Sequence, residues 1–377
     1  MWDDGNPVLV VSVSARALAC AARRAGIAAR AVDLFNDADT RACAEASAAV
    51  PAQGAGLDPE ALLAAAQRLA PAGRGFGLVY GSGLEHCPAL LERLAWGREL
   101  LGNPPEVLRA VKDPALFFSL LARLGIPYPE TRLERPARAE GWLVKRVGGA
   151  GGGHVHFLDA GVLEREDCYF QRHLEGRALS VLFLADGRAA RIVGYSEQWQ
   201  AAVAATDQRF LYGGAVALEE LPPGSADDLE EVVQALVQAV GLRGLCNLDF
   251  VLDDDGLFHV LELNPRPSAT LELHDGEGGL FRRHVQACRG HLPAELQSPA
   301  GIRGYVVLYA QRPLRVPTAA RWPVWVADRP VAGTAIGTGQ PVCTVCAEAP
   351  DGATVRRLLE ARQRRLEEEM TLWRRTA

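Results

Sequence analysis

Carboxylate and carboxamide side chains alternate with apolar residues on both sides of an Asp255-Gly256 pair. Asp-Gly between two alternating runs is typical of a β-hairpin with a two-residue turn. This register pairs Asp249 with Glu262 and Asn247 with Asn264, and alternation brings all four to one face of the hairpin. The other face is expected to belong to a core, with Leu248, Phe250 and Leu252 opposite Leu263, Leu261 and His259.

Two carboxylates directly opposite each other on neighbouring strands repel, so Asp249 and Glu262 need a compensating positive charge. A hard divalent cation can supply it, and magnesium commonly takes one or two carboxylates together with substrate phosphates. Asn264 adds a neutral oxygen ligand. The sequence therefore predicts a magnesium site formed by Asp249, Glu262 and Asn264. The alternative is a solvated acidic face that holds no metal.

A lysine followed by a glycine run is the second chemical feature. Lys145 ends an apolar run, and five of the six residues 148–153 are glycine, among them Gly148, Gly149, Gly151 and Gly152. Such a run lets backbone N–H groups approach an anion closely, and the ammonium of Lys145 adds a point charge beside it. The order differs from the phosphate loop GxxxxGK[ST], in which the lysine follows the glycines. We predict a glycine flap over nucleotide phosphates, with a mobile surface loop as the alternative.

The first third of the chain alternates strand and helix patterns. Apolar runs at 8–13, 31–35 and 77–80 predict buried strands, and the segments 15–25 and 62–69 predict helices between them. In a doubly wound sheet of this kind, ligands bind beyond the carboxyl ends of the strands. Five polar residues are expected near that edge, where they are either ligand contacts or helix caps and turn formers: Ser14, Arg16, Asp37, Ser82 and Glu85.

The remaining two thirds of the chain predict a mixed α and β structure. Besides the hairpin, helices are expected at 114–124, 229–240 and 353–374, and strands at 142–147, 169–173, 178–184 and 190–195. The segment 301–349 has the pattern of β structure interrupted by proline and glycine. It contains Cys343 and Cys346, a single CxxC within a strand-like run, which indicates a structural role rather than a zinc or redox site.

The composition is that of a globular protein. Of 377 residues, 49% are hydrophobic and 23% are charged, which excludes a disordered chain and allows about two or three domains. A formal net charge of −6 argues against nucleic-acid binding, which normally needs a basic excess. No apolar run reaches the roughly 18 residues of a membrane helix, and the acidic, polar start of the chain differs from a signal peptide. These features predict a cytoplasmic protein that does not bind membranes, with its eight scattered cysteines as free thiols.

The order of lysine, glycine flap and carboxylate hairpin resembles the ATP-grasp superfamily. Asp249, Glu262 and Asn264 match the family's Asp…Glu-x-Asn metal triplet, and Lys145 matches the lysine before its glycine loop. Lys112, in Val-Lys-Asp-Pro, resembles the family's first nucleotide-binding lysine. The resemblance implies an α/β (α+β) ATP-grasp fold. Its expected parts are a Rossmann-like preceding domain at 1–110, a small lid subdomain at 111–175, a large subdomain with the metal hairpin at 176–295, and a β-rich C-terminal extension with a terminal helix at 296–377.

The resemblance also implies roles for residues outside the triplet. The backbone of Arg172 and Leu174 would contact adenine, Gln171 would lie beside it, and Arg266 would lie near the transferred phosphate or the acceptor. Two places depart from the family pattern: Ala178 and Leu179 replace the ribose-binding carboxylate of many members, and Asn247 replaces the arginine of some ligases.

The implied activity is that of an ATP-dependent carboxylate–amine ligase, which uses ATP and Mg²⁺, or Mn²⁺, to form an amide through an acyl phosphate. Its partners would be a small carboxylate and a small amine. Four short motifs resemble an ATP-grasp group linked to one-carbon coenzymes, similar to the tyramine–glutamate ligase of methanofuran-type cofactor synthesis. They are Ser-Ala-Arg-Ala-Leu-Ala at 14–19, Asp-Leu-Phe-Asn-Asp-Ala-Asp at 33–39, Tyr-Gly-Ser-Gly-Leu-Glu at 80–85 and Ala-Asp-Arg-Pro-Val-Ala-Gly-Thr at 327–334. The alternatives are a kinase or carboxylase with another acceptor and a non-catalytic ATP-binding module. A homodimer contact through the charged terminal helix is left open.

Overall fold

The chain begins with a parallel sheet that is covered by helices. A computed structural model of the protein describes residues 6–54, 56–159, 167–204, 206–222, 224–276 and 279–373. The first elements are β1 (Val8–Val11), α1 (Arg16–Arg24), β2 (Ala29–Asp33), α2 (Ala38–Cys43), β3 (Ala46–Ala49), β4 (Ala52–Gln53), β5 (Gly56–Leu57), α3 (Pro59–Leu69), β6 (Gly77–Tyr80), α4 (Pro88–Ala95) and β7 (Glu99–Leu100). The parallel strands lie in the order β3-β2-β1-β6-β7. All four residues of β1 are fully buried, as a central strand between two helical layers requires.

A disulfide joins α1 to α2. Cys20 and Cys43 are bonded although 23 residues separate them in the sequence, and their Cα atoms lie 4.9 Å apart. The prediction that the cysteines are free thiols is therefore wrong for this pair. The free cysteines among the described residues are Cys87, Cys168, Cys246, Cys288, Cys343 and Cys346. Spacing does not reveal the bonded pair, because the two cysteines meet only through the packing of two helices.

Two helices and a small antiparallel sheet follow. These are α5 (Pro105–Lys112), α6 (Pro114–Leu124), β8 (Thr131–Arg132), β9 (Trp142–Arg146), β10 (Val155–Phe157) and β11 (Cys168–Arg172). The strands lie in the order β10-β9-β11-β8. Helix α6 begins where Asp113 accepts a hydrogen bond from the Leu116 N–H, and it ends at Gly125 in the left-handed conformation.

The large sheet contains the predicted hairpin. Its elements, with the helix that crosses it, are β12 (Arg177–Asp186), β13 (Ala190–Gln200), β14 (Tyr212–Leu218), α7 (Ser225–Val240), β15 (Arg243–Leu252) and β16 (Phe258–Asn264). Alternate residues of β12 and β15, such as Val181 and Leu248, pack with α6 and α7 in one core. On the other face, Leu182 and Leu245 pack against α1 and the N-terminal parallel sheet. The region from β1 to β7 is called the first domain below. The sheet is thus enclosed on both faces, and the polar hairpin residues lie on the face toward the first domain.

The C-terminal strands continue the same large sheet. The last elements are α8 (Leu271–His274), α9 (Leu280–Cys288), β17 (Ile302–Tyr309), β18 (Leu314–Arg315), β19 (Val326–Ala327), β20 (Ala335–Ile336), β21 (Pro341–Ala349) and α10 (Gly352–Trp373). The sheet runs in the order β16-β15-β12-β13-β14-β17-β21-β19. The β-rich extension expected from the resemblance therefore adds three strands to the sheet that carries the hairpin. Within the described part of the chain, none of the helices combines the length and apolarity that a membrane span requires.

We predict that the disulfide stabilises the first domain. Because it closes a loop across 23 residues of sequence, replacing both Cys20 and Cys43 by serine should lower the free energy of unfolding by about 3 kcal/mol. Urea denaturation followed by circular dichroism measures this. Reduction of the wild-type protein should reproduce the shift, and Cys168→Ser, at a free cysteine, should not. Equal midpoints for the oxidised wild type and the double variant would contradict the prediction.

Candidate functional site

The hairpin of β15 and β16 has the predicted pairing at its polar end. Asn247 lies opposite Asn264, and Asp249 lies opposite Glu262. The pairing shifts by one residue beyond Asp249, so that Phe250 pairs with Val260. The apolar face consequently carries Val260 and Phe258 in place of the predicted Leu261 and His259.

The turn explains why the polar pairs were nevertheless predicted correctly. It contains three residues, because the Asp253 N–H donates to the Leu257 carbonyl at 2.9 Å and Leu252 pairs with Phe258. Gly256 takes the left-handed conformation with φ of 80°, as the last position of a three-residue hairpin loop requires. The predicted two-residue turn is therefore wrong. The bulge beside Asp249 offsets the error and restores the register at Glu262.

Amide groups surround the Asp249 carboxylate. Its Oδ1 accepts from Asn247 Nδ2 at 2.8 Å and from Gln198 Nε2 at 2.9 Å, and its Oδ2 accepts from Asn264 Nδ2 at 2.8 Å. Burial and the neighbouring Glu262 raise the pKa of Asp249 to about 6, although the Gln198 hydrogen bond opposes the shift. The neighbouring amides thus fix the direction in which the carboxylate points.

Lys112 lies against the opposite carboxylate. Pro114 begins α6 two residues later, so α5 ends at Lys112 and its side chain reaches the hairpin. The Nζ donates to Asn264 Oδ1 at 2.8 Å and also contacts Glu262 Oε1. Burial opposes ionisation of Glu262, but the Lys112 ammonium keeps the pKa of this carboxyl below its usual value. The charge that offsets the two carboxylates in this structure is therefore a lysine, a compensation that the sequence argument for a metal did not consider.

Lys145 lies at the end of β9, close to the same carboxylates. Its Nζ donates to Gln171 Oε1 at 2.6 Å, and Gln171 Nε2 donates to Thr131 Oγ1 at 3.0 Å. Burial lowers the pKa of Lys145 to about 8, although Glu262 and Asp249 favour the charged form. Gln171 is fully buried, and in this structure it positions the lysine.

The chain has only two lysines, Lys112 and Lys145, against 38 arginines. Both reach the hairpin, one by direct contact and one by electrostatic interaction with its carboxylates. Lysine presents a compact point charge, whereas arginine presents a wide planar fork. A chain that uses arginine almost everywhere else thus keeps lysine at two adjacent positions of one site. This count is a signal that the motif-based interpretation missed.

The glycine segment is packed against its surroundings. Gly148, Gly151 and Gly152 have φ between 67° and 74°. A Cβ on Gly152 would lie 1.8 Å from the carbonyl oxygen of Phe210, and the Tyr212 N–H donates to the Gly151 carbonyl at 2.9 Å. A Cβ on Gly149 would meet the ring of His154, 2.3 Å away. Close approach therefore requires glycine at 149 and 152, and a positive φ favours it at 151. The segment packs on the loop before β14.

The adenine contacts implied by the family resemblance stay a prediction. The Arg172 N–H donates to the Glu130 carbonyl at 2.8 Å and is thus occupied within the small sheet. The Arg172 guanidinium is exposed and lies over the Trp142 ring, 5.1 Å from the centroid. A backbone contact of Arg172 with a base would therefore use its carbonyl oxygen, and Leu174 follows β11 as a half-buried residue.

Arg266 follows β16 and connects the hairpin to the first domain. Its Nε donates to Glu85 Oε1 at 2.7 Å, and its Nη2 donates to Asn264 Oδ1 at 3.3 Å. Glu85 also accepts from the Gly83 N–H at 2.6 Å. Although burial opposes ionisation, Arg266 and Lys112 hold the pKa of Glu85 at about 2.

Two acidic residues expected near the strand ends, Glu85 and Asp37, have partners within the protein. Glu85 is the buried partner of Arg266. Asp37 caps α2, where Oδ1 accepts from the N–H groups of Asp39 and Thr40. Ser14, Arg16, Asp37 and Ser82 do line one cavity at the strand ends, where the sequence analysis expects them.

The oxygen set of the hairpin fits a hard cation. It consists of the carboxylates of Asp249 and Glu262 and the carboxamide oxygen of Asn264, and the Lys112 ammonium, which contacts Glu262 and Asn264, shows that a positive charge is accommodated there. The side chain of Glu262 is 43% exposed, so the set is open to solvent. The described residues contain no group of three or more His, Cys, Asp or Glu able to hold a metal, which leaves mixed carboxylate and amide ligation of the kind magnesium accepts.

Residues 111–270 match the family model of the ATP-grasp domain. The chain has the ATP-grasp fold. Among curated proteins it is similar to the carbamoyl phosphate synthase large chain of Thermus thermophilus, with 29% identity over 199 residues, which are 46% of this chain and 19% of that protein. The large chain from Thermomicrobium roseum shows 27% identity, covering 47% of this chain and 18% of that protein. The chain thus spans about a fifth of the length of these relatives.

Solved ATP-grasp structures resemble the chain over nearly its whole length. Pyruvate carboxylase of Rhizobium etli superposes with a TM-score of 0.71 and 15% identity, covering 95% of this chain and 37% of that one. Biotin carboxylase of Campylobacter jejuni superposes with a TM-score of 0.66 and 16% identity, covering 92% of this chain and 88% of that one. N5-carboxyaminoimidazole ribonucleotide synthetase of Thermotoga maritima superposes with a TM-score of 0.65 and 15% identity, covering 95% of this chain and 98% of that one. At these identities the likeness shows the fold alone.

We predict that Lys145 titrates near pH 8, because burial destabilises its ammonium. Reductive methylation with ¹³C-formaldehyde should give only two lysine side-chain resonances, since the chain has two lysines. One should titrate near pH 8 and disappear in Lys145→Arg. Glu262→Gln should lower this pKa further, because it removes a carboxylate that favours the charged form. A Lys145 resonance that titrates near 10.5 would contradict the prediction.

Proposed function

We propose that the protein is an ATP-dependent carboxylate–amine ligase that forms an amide through an acyl phosphate. The observation that carries the proposal is the convergence of the chain's two lysines, Arg266 and an oxygen ligand set on one hairpin beside a cavity. The ATP-grasp family match supports ATP as the co-substrate. The matched relatives named carbamoyl phosphate synthase further support chemistry that activates an acid by phosphorylation.

Asp249, Glu262 and Asn264 would hold Mg²⁺, or Mn²⁺, and the bound ion would supply positive charge to the phosphates of the nucleotide. Because Lys112 contacts Glu262 and Asn264, it must give up at least one of these contacts when a cation binds there. Its ammonium would then be free to bind a phosphate oxygen. Before the nucleotide binds, Lys112 would thus supply the positive charge that offsets the two carboxylates.

The other residues would position and neutralise the transferred group. Lys145, held by Gln171, would bind phosphate oxygens, and the backbone of Gly148, Gly149, Gly151 and Gly152 would cover them and exclude water. Arg266, held by Glu85, would stabilise the negative charge that develops during transfer. The backbone of Arg172 and Leu174 would contact the adenine, with Arg172 using its carbonyl oxygen, and Gln171 would lie beside it.

The reaction consists of two displacements. A carboxylate oxygen of the acid substrate attacks the γ-phosphorus of ATP, and the bond to ADP breaks. The amine nitrogen then attacks the acyl carbon, phosphate leaves with the bonding electrons, and the nitrogen loses a proton. Shielding from water matters most between these steps, because the acyl phosphate would otherwise hydrolyse.

The narrower proposal is ligation of glutamate to an amine such as tyramine in one-carbon coenzyme synthesis. It rests on the motifs at 14–19, 33–39, 80–85 and 327–334. Incubation with ATP and a panel of acid and amine pairs, including glutamate with tyramine, tests it by ADP release. Absence of ADP release with that pair, when another pair reacts, would overturn the narrower proposal.

A carboxylase is the second candidate, because several similar solved structures are biotin carboxylases. The biotin carboxylase domain of Hydrogenobacter thermophilus 2-oxoglutarate carboxylase is described as a dimer in complex with MgADP, ADP and bicarbonate. It supports the homodimer included in this proposal, which gel filtration with light scattering tests. Hydroxylamine separates the ligase from a kinase, because the ligase should yield a stable hydroxamate of its acid substrate and a kinase that forms no acyl phosphate should not. A carboxylase should instead need bicarbonate for ADP release.

We predict that Glu262→Gln lowers ADP release by about 100-fold or more at fixed magnesium, because it removes a charged ligand from the cation site. The matched control is Glu60→Gln, the same change at an exposed glutamate remote from the hairpin. Turnover is measured by coupled detection of ADP. Unchanged turnover of Glu262→Gln at saturating magnesium would rule out the metal assignment.

We predict that Lys145→Met weakens ADP binding by about 30-fold or more, because a buried charge on a phosphate is lost. With the wild type, ADP affinity should fall as pH rises through about 8, where the ammonium loses its proton. Lys145→Arg keeps the charge and should remove this pH dependence. Isothermal titration calorimetry between pH 7 and pH 9 measures both effects. Binding of equal strength in Lys145→Met would exclude the lysine from the nucleotide site.

A further inference from the structure

A cavity of about 630 Å³ lies where three parts of the chain meet. Its walls come from the strand ends of the first domain, the segment after β16 and the C-terminal strands. Arg266 lines one side, so the cavity adjoins the site at the hairpin. Its volume is typical of a pocket for a small organic molecule.

The charged groups of the cavity leave a net negative wall. The guanidinium of Arg16 makes two bonds to Asp328, from Nε at 2.9 Å and from Nη2 at 3.0 Å, and its Nη1 contacts Glu272. Arg16 is thus shared by two carboxylates, and the trio carries a formal charge of −1. The side chains of Glu272 and Asp328 remain 21% and 24% exposed, so this charge faces the cavity.

Each cation among the described residues of the cavity wall is already paired with a carboxylate. The described lining residues include two cations, Arg16 and Arg266, and each already holds a carboxylate. Asp37 adds a further negative charge to the lining. A substrate that carries a carboxylate would therefore meet saturated arginines, whereas an ammonium would meet Glu272 with no competing partner except Arg16.

The remainder of the wall is largely apolar. Phe35, Val331, Ile336 and Val307 line it, and the ring of Phe35 is 46% exposed, unusual for a side chain of its size. The hydroxyls of Tyr212 and Tyr305 are hydrogen-bonded to each other at 2.7 Å in the same wall. Such a surface accepts an apolar body and offers few groups that could bind a second charge.

We propose that this cavity binds the amine substrate, and that this substrate is a primary amine with an apolar body and no carboxylate. Glu272 recognises its ammonium group, with Arg16 and Asp328 holding Glu272 in place. Phe35 and Val331 pack against the apolar body. The assignment of the ligand as the acceptor rests on the proposed ligase function, whereas its binding to the cavity does not.

The test compares three probes that share one phenyl body: 2-phenylethylamine, L-phenylalanine and 3-phenylpropionate. Isothermal titration calorimetry uses the full-length protein without nucleotide. The amine should bind at least about tenfold more tightly than either carboxylate-bearing probe. Glu272→Gln should weaken amine binding about tenfold or more, whereas the control Glu60→Gln should not change it.

A second variant keeps the proposal testable if Glu272→Gln does not fold. Phe35 is half-exposed, so Phe35→Ala should fold. It should weaken the binding of all three probes by a similar factor of about ten. Equal affinity for the amine and 3-phenylpropionate, no binding of the amine, or full affinity in Glu272→Gln or in Phe35→Ala would overturn the proposal.

Failure of this proposal is distinguishable from failure of the ligase function. If the protein releases ADP with acid and amine pairs but binds the amine probe no better than the propionate, the cavity assignment is wrong and the ligase function is retained. If the amine binds as expected but no acid yields ADP or a hydroxamate, the cavity is an amine site of a protein that is not this ligase.

Discussion

Two carboxylates that face each other across β15 and β16 set the conditions for the surrounding structure. At a separation of about 5 Å, Asp249 and Glu262 repel by about 3 kcal/mol when both are charged. Three amides hold Asp249, and Lys112 holds Glu262. These contacts also leave a site for a cation. Two neighbouring carboxylates concentrate negative charge, and this charge favours the binding of any cation that reaches them.

The cavity and the hairpin are joined through ion pairs between distant parts of the sequence. Glu85 of the first domain holds Arg266 beside Asn264. Arg16 of the same domain holds Glu272 of α8 and Asp328, which follows β19. Each pair is largely shielded from water, so its loss would leave a poorly compensated charge. The geometry of the site therefore depends on correct packing of all three parts, although the family match covers only residues 111–270.

Local patterns predicted much of this fold. Alternation placed the hairpin, Pro114 and Gly125 marked the ends of α6, and the valine run of β1 identified a central strand. The polar pairs of the hairpin were correct although the turn was not, because the loop and the bulge compensate each other. A bulge leaves no reliable mark in a single sequence, since Leu261 fits either strand face.

What sequence reasoning missed depends on contacts between distant segments. The partner of Glu85 lies 181 residues away, and the Arg16 carboxylates lie 256 and 312 residues away. Nothing local distinguishes Glu272 from other helical glutamates. The disulfide was missed for the same reason. The residue counts, in contrast, point to the site directly. The chain has 38 arginines and only two lysines, and both lysines lie at the hairpin.

This scarcity has a chemical consequence. Reagents and cellular processes that modify lysine side chains find only two such side chains on the chain. Both lie at the hairpin, and at least Lys145 is more often uncharged near neutral pH than an ordinary lysine, hence more nucleophilic. Attachment to an amine-reactive support or dye would therefore obstruct the site itself, and conjugation is better directed to thiols introduced on the surface.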